Sequence, residues 1–325
     1  MKIQQLKQIE SAIGTMTAEE IAAIKKAVYK REGQVEGDVV VRERAASIDR
    51  CPRCGSKAIG WGKKNGIPRF KCSNKEIDEA GKKVCGKTFN ALTGTPLARL
   101  HHADKLIGNA KCMVEGMTVR ATAETLGMNK DTAFRWRHRF LELLSKDQPQ
   151  KLAGIVEVDE TYFLESLKGQ RTMPPGRKPK KRGTPAKKRG TSTEQIPVLV
   201  ARERNTAQTL SVVIQSTKAS AIGPALVPSL AADAELISDG AKAYKSIARK
   251  HAVALRVVPR HKHHKTSGAL HINNVNAYDK RLKEWMDRFH GVATKNLHAY
   301  LGWHRWLDAA KRSGKTKSML RAALG

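Results

Sequence analysis

The sequence predicts an α/β domain built on a mixed sheet, preceded by a small cysteine-bearing module and two helices around a tight turn. Three observations carry this reading. Residues 154–258 alternate strand-like apolar runs with helical ones. A knuckle, Cys51-Pro52-Arg53-Cys54, opens a stretch rich in Gly, Lys and Cys and poor in helical periodicity. Residues 102–144 are helical in pattern with a break at Gly127-Met128-Asn129. At 325 residues the chain is long enough for about two or three domains, each able to bury a core.

Taken in order, residues 1–46 form an N-terminal helical segment. Thr17 and Glu20 have capping-box spacing, and Ile21, Ile24 and Val28 follow at helical intervals. Residues 47–98 suit short strands and knuckle turns, and residues 99–148 hold the two helices. The polar SKDQPQ is a linker before the larger domain at 149–312, which opens with the alternating run Ile155-Val156-Glu157-Val158-Asp159. Residues 166–193 hold ten Lys/Arg and no acid among many Gly, Pro and Thr; they form a basic insertion rather than part of a core. IPVLVARER and TLSVVIQS read as strands of an antiparallel meander with the strand at Ile155. Helix and strand then alternate at Ala219–Leu230, Ala234–Asp239, Ala241–Lys250 and Ala254–Val258, before a helical C-terminal third whose Trp285, Trp303 and Trp306 read as core. Residues 313–325 close the chain as a basic tail.

Lys and Arg number 61 against 30 Asp and Glu, a net charge of +31, which points to a polyanionic partner with nucleic acid first. No apolar run approaches the ~18–20 residues of a membrane span, and MKIQQLKQIESAIG lacks the apolar centre of a signal peptide. A cytoplasmic protein with no membrane partner is expected. Five unevenly spaced cysteines do not form a disulfide framework.

Metal binding is the better use for four of them. Thiolates two residues apart at Cys51 and Cys54 can share one ion, and Cys72 and Cys85 could complete a tetrahedral, structural zinc site. Twelve residues separate Cys72 from Cys85, so either a polar insertion loops out or another ligand replaces one of them. Cys112 lies in a helical pattern and reads as core.

In residues 118–144, Ala123 is small where two helices approach, Gly127 suits the turn and Asn129 can cap the second helix. This is a helix-turn-helix pattern. Lys130, Arg135, Arg137 and Arg139 on the second helix are the candidate DNA contacts. A plain helical hairpin with a solvated basic face is the bland alternative.

Asp159 and Asp239 each end an apolar strand, so their carboxylates meet if the strands are neighbours. Phosphoryl transfer on DNA by a water or a 3′-hydroxyl uses two magnesium ions about 3.5–4 Å apart, and Asp159 is the candidate bridging ligand. Taken singly, each Asp could equally be a turn or cap residue.

CPRCGS, TGTPL, TAETLGMNKDTAFRWRHRF, VEVDETYF, ISDGAKAY and HINNVNAYDKRLK occur in an order that resembles bacterial insertion-sequence transposases of the ISXO type, across roughly residues 45–310. The resemblance implies a zinc ribbon, a helix-turn-helix and an RNase H-like mixed sheet with flanking helices. It also implies a DNA transposase that cleaves at terminal inverted repeats and joins 3′ ends to target DNA by transesterification dependent on magnesium or manganese. Double-stranded DNA is then the partner, zinc (Zn2+) the structural ion and Mg2+ (or Mn2+) the catalytic one; a homo-oligomer is expected in the DNA complex. Asp159 becomes the first acid and Asp239 the second. Where many relatives carry a third acid, Glu, this chain has Asn276; some lineages pair such an Asn with a Lys seven residues on, here Lys283. A catalytically inactive, repressor-like descendant is the alternative.

Seven helical steps return to within about 20° of the same direction, so Asn276 and Lys283 share a face. An Asn carbonyl can ligate magnesium but brings no charge, and Lys283 would hold a phosphate. Asp279 and Glu284 are rival third ligands, and a merely solvated helix face is the bland reading. His261-Lys262-His263-His264 reads as a DNA-facing loop.

Overall fold

The computed structural model describes residues 3–100, 102–146, 148–149, 151–170, 172–173, 192, 194–258, 268, 270–310 and 316–325. These fall into two compact units, residues 1–140 with 315–325 and residues 141–314. Most of the basic insertion expected at 166–193, and the cluster His261–His264, lie outside the described residues.

In the first unit, α1 spans Ile3–Ile13 and α2 spans Ala18–Ala46. The expected capping box is present: the Thr17 hydroxyl accepts from the Glu20 amide, and the Glu20 carboxylate accepts from the Thr17 amide. Three strands, β1 (Ala58–Lys64), β2 (Ile67–Cys72) and β3 (Thr88–Asn90), pair antiparallel in chain order. The next three helices are α3 (Leu106–Val114), α4 (Val119–Leu126) and α5 (Lys130–Lys146), the last running on across the boundary between the units. Gly127 ends α4 at φ 55°, the left-handed conformation that a tight turn needs, and the Asn129 side chain accepts from the Asp131 amide to start α5. The predicted basic tail is corrected: Thr316–Leu324 is a helix, α10, that buries Met319, Leu320, Ala323 and Leu324 against α2 and α3. The apolar spacing of those four residues outweighs Lys317 before them and Arg321 between them.

The second unit is a five-stranded sheet: β4 (Ile155–Leu164), β5 (Gln195–Glu203), β6 (Thr209–Val213), β7 (Glu235–Ser238) and β8 (Ala254–Val257), in the spatial order β6-β5-β4-β7-β8. β4, β5 and β6 form the antiparallel meander, while β7 and β8 run parallel to β4. This mixed sheet carries helices on both faces, matching the expected mixed sheet with flanking helices. Val156 and Val158 of β4, with Leu199, Ala201 and Leu236, face a core closed by α6 (Ala219–Leu226) and α7 (Lys242–His251). The alternate residues Glu157 and Asp159 therefore face the other way, toward α8 (Asn273–Asp287), while α9 (Leu297–Ala310) packs on β6. Trp285 and Trp303 meet edge to face between α8 and α9, as core. No helix among the described residues is long and apolar enough to cross a membrane.

Candidate functional site

The parallel register pairs Ile155 with Glu235, Val156 with Leu236 and Glu157 with Ile237; carried two residues on, it sets Asp159 beside Asp239. Asp239 sits in the turn that leaves β7, where its carboxylate accepts from the Ala241 amide at 3.0 Å. Gly240 follows at φ +86°, and a Cβ there would lie 2.4 Å from Val257, so only glycine fits. Burial pushes the Asp159 carboxyl up; the Glu160 amide opposes that shift, the Asp239 charge adds to it, and Lys283 opposes it again.

The neighbouring α8 contributes a third acid. Asp279 is buried, and its carboxyl is pushed up to about 7, first by burial and next by the charge of Asp159, with Lys283 offsetting both. Its Oδ1 has no hydrogen-bond partner among the described residues. Asn276 is exposed at the start of the same helix face, Lys283 is exposed one turn beyond Asp279, and the rival Glu284 instead points to an exposed pair with Lys280.

A fourth carboxylate, unexpected from the sequence, is Glu160, which accepts from the Tyr244 hydroxyl of α7. Burial raises its carboxyl, the Tyr244 bond opposes this, and Asp159 and Asp239 add to it. The sequence reading also missed Glu157. This fully buried carboxylate accepts five N–H groups: Arg204 Nε and Nη2, the Asn274 amide and side chain, and the Val275 amide, at 2.7–3.0 Å. Arg204 also donates to the His271 carbonyl at 3.0 Å. The residue preceding α8, Ile272, offers no side-chain cap, so Glu157 from β4 caps the helix across the fold. The signal was present in Glu157: a charged residue of the same strand parity as Asp159 must be buried with partners.

In the first unit the four sulfurs of Cys51, Cys54, Cys72 and Cys85 lie within 4.8 Å of one another. The irregular spacing is resolved by looping out. Residues between Cys72 and Cys85 fold back through Asp78, whose amide donates to the Lys82 carbonyl, and through the Val84 amide, which donates to Glu76. Gly55 and Gly86, one after each knuckle cysteine, take φ 72° and 83°. The Ser56 side chain and amide hold the Cys54 thiol down at about 6. Four soft donors of this kind could hold one zinc ion. Cys112 is buried, its thiol pushed up to about 11 by burial, and takes no part.

On α5, Lys130 and Arg135 are exposed. Arg137 is a correction to the expected DNA contacts: it is 2% exposed and donates to the Met117 carbonyl at 2.5 Å, so it ties α5 to the turn between α3 and α4 and is packed away from solvent. The i, i+4 spacing from Ala133 to Arg137 puts it on the packed face. Arg139 is half-buried and donates to the Ala98 carbonyl at 2.7 Å.

Residues 151–306 match the family described as ISXO2-like transposase domain, and residues 110–145 match a homeodomain-like domain. A protein of Halobacterium salinarum described as "Uncharacterized protein in transposable element ISH50" is 26% identical over 84% of this chain and 91% of its own length. Two structures of Mos1 transposase, a pre-cleavage transpososome and a paired-end complex with the left transposon end, are 11% and 12% identical. Each alignment covers 64% of this chain and 79% of the other, with a TM-score of 0.24, too low to bear on the fold.

Proposed function

We propose that the chain is a transposase that cleaves DNA at terminal inverted repeats and joins the 3′ ends to target DNA, a reading supported by the match of residues 151–306 to an ISXO2-like transposase domain and of residues 110–145 to a homeodomain-like one. The observation that carries the reading is the convergence of Asp159, Asp239 and the Asp279–Lys283 face of α8 on one end of the sheet.

The transposase reading calls for a divalent metal, for which magnesium is our choice, and the donors fit a cation. Like charges crowd there, and the buried Asp279 Oδ1 lacks a donor among the described residues. Asp159 and Asp239 would hold the ions, with the Asn276 side-chain carbonyl as third ligand and Asp279, one turn deeper, supplying the charge an amide lacks. When bound, magnesium activates the attacking oxygen and stabilises the leaving one. Lys283, exposed beside the acids, holds the scissile phosphate as a point charge. Glu157 fixes α8 against β4, so these groups keep their spacing to Asp159 without a local cap. The exposed Lys130 and Arg135 on α5 read the repeat, and the four-cysteine cluster holds one structural zinc. We expect a homo-oligomer on DNA, since a transposable element has two ends and each chain offers one such acidic site among the described residues.

Nicking and strand transfer on a duplex carrying the repeat test this directly, with activity expected in magnesium and none in chelator. The neutral Asn276 favours a second reading, a repressor-like protein that binds the repeat without cutting it. Specific binding with no cleavage by the intact chain in magnesium or manganese would assign that reading instead.

A further inference from the structure

Hairpin β1–β2 carries four cations, Lys63, Lys64, Arg69 and Lys71, and no acid over residues 58–72. Its two faces differ. Pairing of Gly60 with Phe70 and of Phe70 with Phe89 puts those rings, stacked at 5.6 Å, on the side that packs toward the cysteine cluster. The opposite face holds Ile59 paired with Lys71, then Arg69 and Trp61, with Ile59 and Trp61 each about half exposed. Two large apolar side chains left in water beside cations mark a contact surface rather than a core.

The Lys71 ammonium lies over the Trp61 ring, 4.4 Å from its centroid. This has two consequences. A flexible lysine is held in one place, so presenting its charge costs less entropy than for a free side chain. One face of the Trp61 ring is covered by the ammonium, which leaves less of the ring for an unpaired base to stack on and makes a duplex the better occupant. Arg69, spaced two residues from Lys71 on the same strand face, adds a second donor and is itself steadied by the Thr88 hydroxyl. Cations fixed on a twisted antiparallel hairpin, with no acid in the hairpin's own sequence, complement a duplex backbone.

The geometry points to the Trp61–Lys71–Arg69 face as a sequence-independent clamp on the phosphates of duplex DNA, separate from the base-reading face of α5. This rests on the transposase reading and adds a second contact surface to it.

The test is the salt dependence of binding by the full-length protein to an inverted-repeat duplex and to a random duplex of equal length. Lys71→Ala and Arg69→Ala should weaken both by the same factor, each lowering the slope of log affinity against log salt by about 1. Trp61→Ala, which removes no charge, should weaken both by about two- to five-fold, the worth of an exposed cation–π contact, and Trp61→Phe should recover part of the loss. Zinc content equal to wild type shows that the ribbon has survived; the exposed Lys63→Ala repeats the measurement should any of these variants lose zinc. Slopes and affinities equal to wild type would overturn the clamp, as would a loss confined to the repeat or tighter binding of single strands. A wild-type chain that bound neither duplex would instead remove the transposase reading itself.

Discussion

Removing the Glu157 carboxylate should damage the second unit more than any other single truncation on the Asp159 face. Glu157→Ala removes the acceptor of five N–H hydrogen bonds, two from backbone amides in the first turn of α8 and two from the Arg204 guanidinium, whose Nη2 keeps its bond to the His271 carbonyl. Breaking a buried ion pair by removing one partner costs about 3–5 kcal/mol, because the other charge is left without compensation. Arg204 keeps 17% of its side-chain surface in water and recovers part of that, which sets the expectation near ~3 kcal/mol. For a unit of this size, 1 kcal/mol moves the midpoint by about 2–4 °C, so the second unit should melt roughly 6–12 °C early. Glu157→Gln keeps one carbonyl oxygen for the α8 amides but turns an NH2 toward the Arg204 and Asn274 donors, losing those acceptor bonds with the charge; it should fall between wild type and Ala. Thermal unfolding followed by circular dichroism, paired with strand transfer well below the lower midpoint, separates stability from positioning. A Glu157→Ala protein that melts within 2 °C of wild type would refute the idea that this carboxylate organises α8.

Further predictions concern the other groups. Chelation of zinc, or Cys54→Ser, should unfold the ribbon while leaving the second unit's transition in place, read by metal analysis and two-transition calorimetry. Arg135→Ala should erode preference for the repeat in a competition assay, whereas Arg137→Ala should lower the first unit's melting point, since its guanidinium holds the Met117 carbonyl. In chelator, Asp279 keeps its proton up to about pH 7 in the folded chain but only to about 4 in the unfolded one. The folded form therefore gains most below pH 4 and loses that advantage as pH rises from about 4 to about 7. Asp279→Asn should flatten this dependence and raise the midpoint at pH 8; an unchanged pH profile in the variant would show that Asp279 is not the group involved.

What the sequence made legible followed from local rules. Capping at Thr17, the Gly127 turn and the strand parity of Val156 and Val158 each depend on residues within a few positions of one another, and each appears where its pattern predicts. The site was legible in part: β4 and β7 pair in parallel, so Asp159 and Asp239 become neighbours, but Asp159 lies in the middle of β4 rather than at its end, and only Asp239 follows a strand end. The rest was set by long-range partners. Glu157 and Asn274 are 117 residues apart in sequence, and nothing local to either marks the bond. Arg137 read as a DNA contact because composition reports charge and not which helix face is packed. Residues 313–325 read as a tail for the same reason: their basic residues masked an apolar stripe that only α2 and α3 complete.

The central claim is that Asp159 and Asp239 are the acids of a DNA-joining site. It is tested most directly by strand transfer with a pre-cleaved repeat end in magnesium, comparing wild type with Asp159→Asn and Asp239→Asn, each first shown to fold and to bind the repeat as tightly as wild type. The account predicts transfer by wild type and a loss of at least about a thousandfold in both variants, the scale expected when a metal-ligating carboxylate is removed. Transfer by Asp159→Asn at the wild-type rate would contradict it.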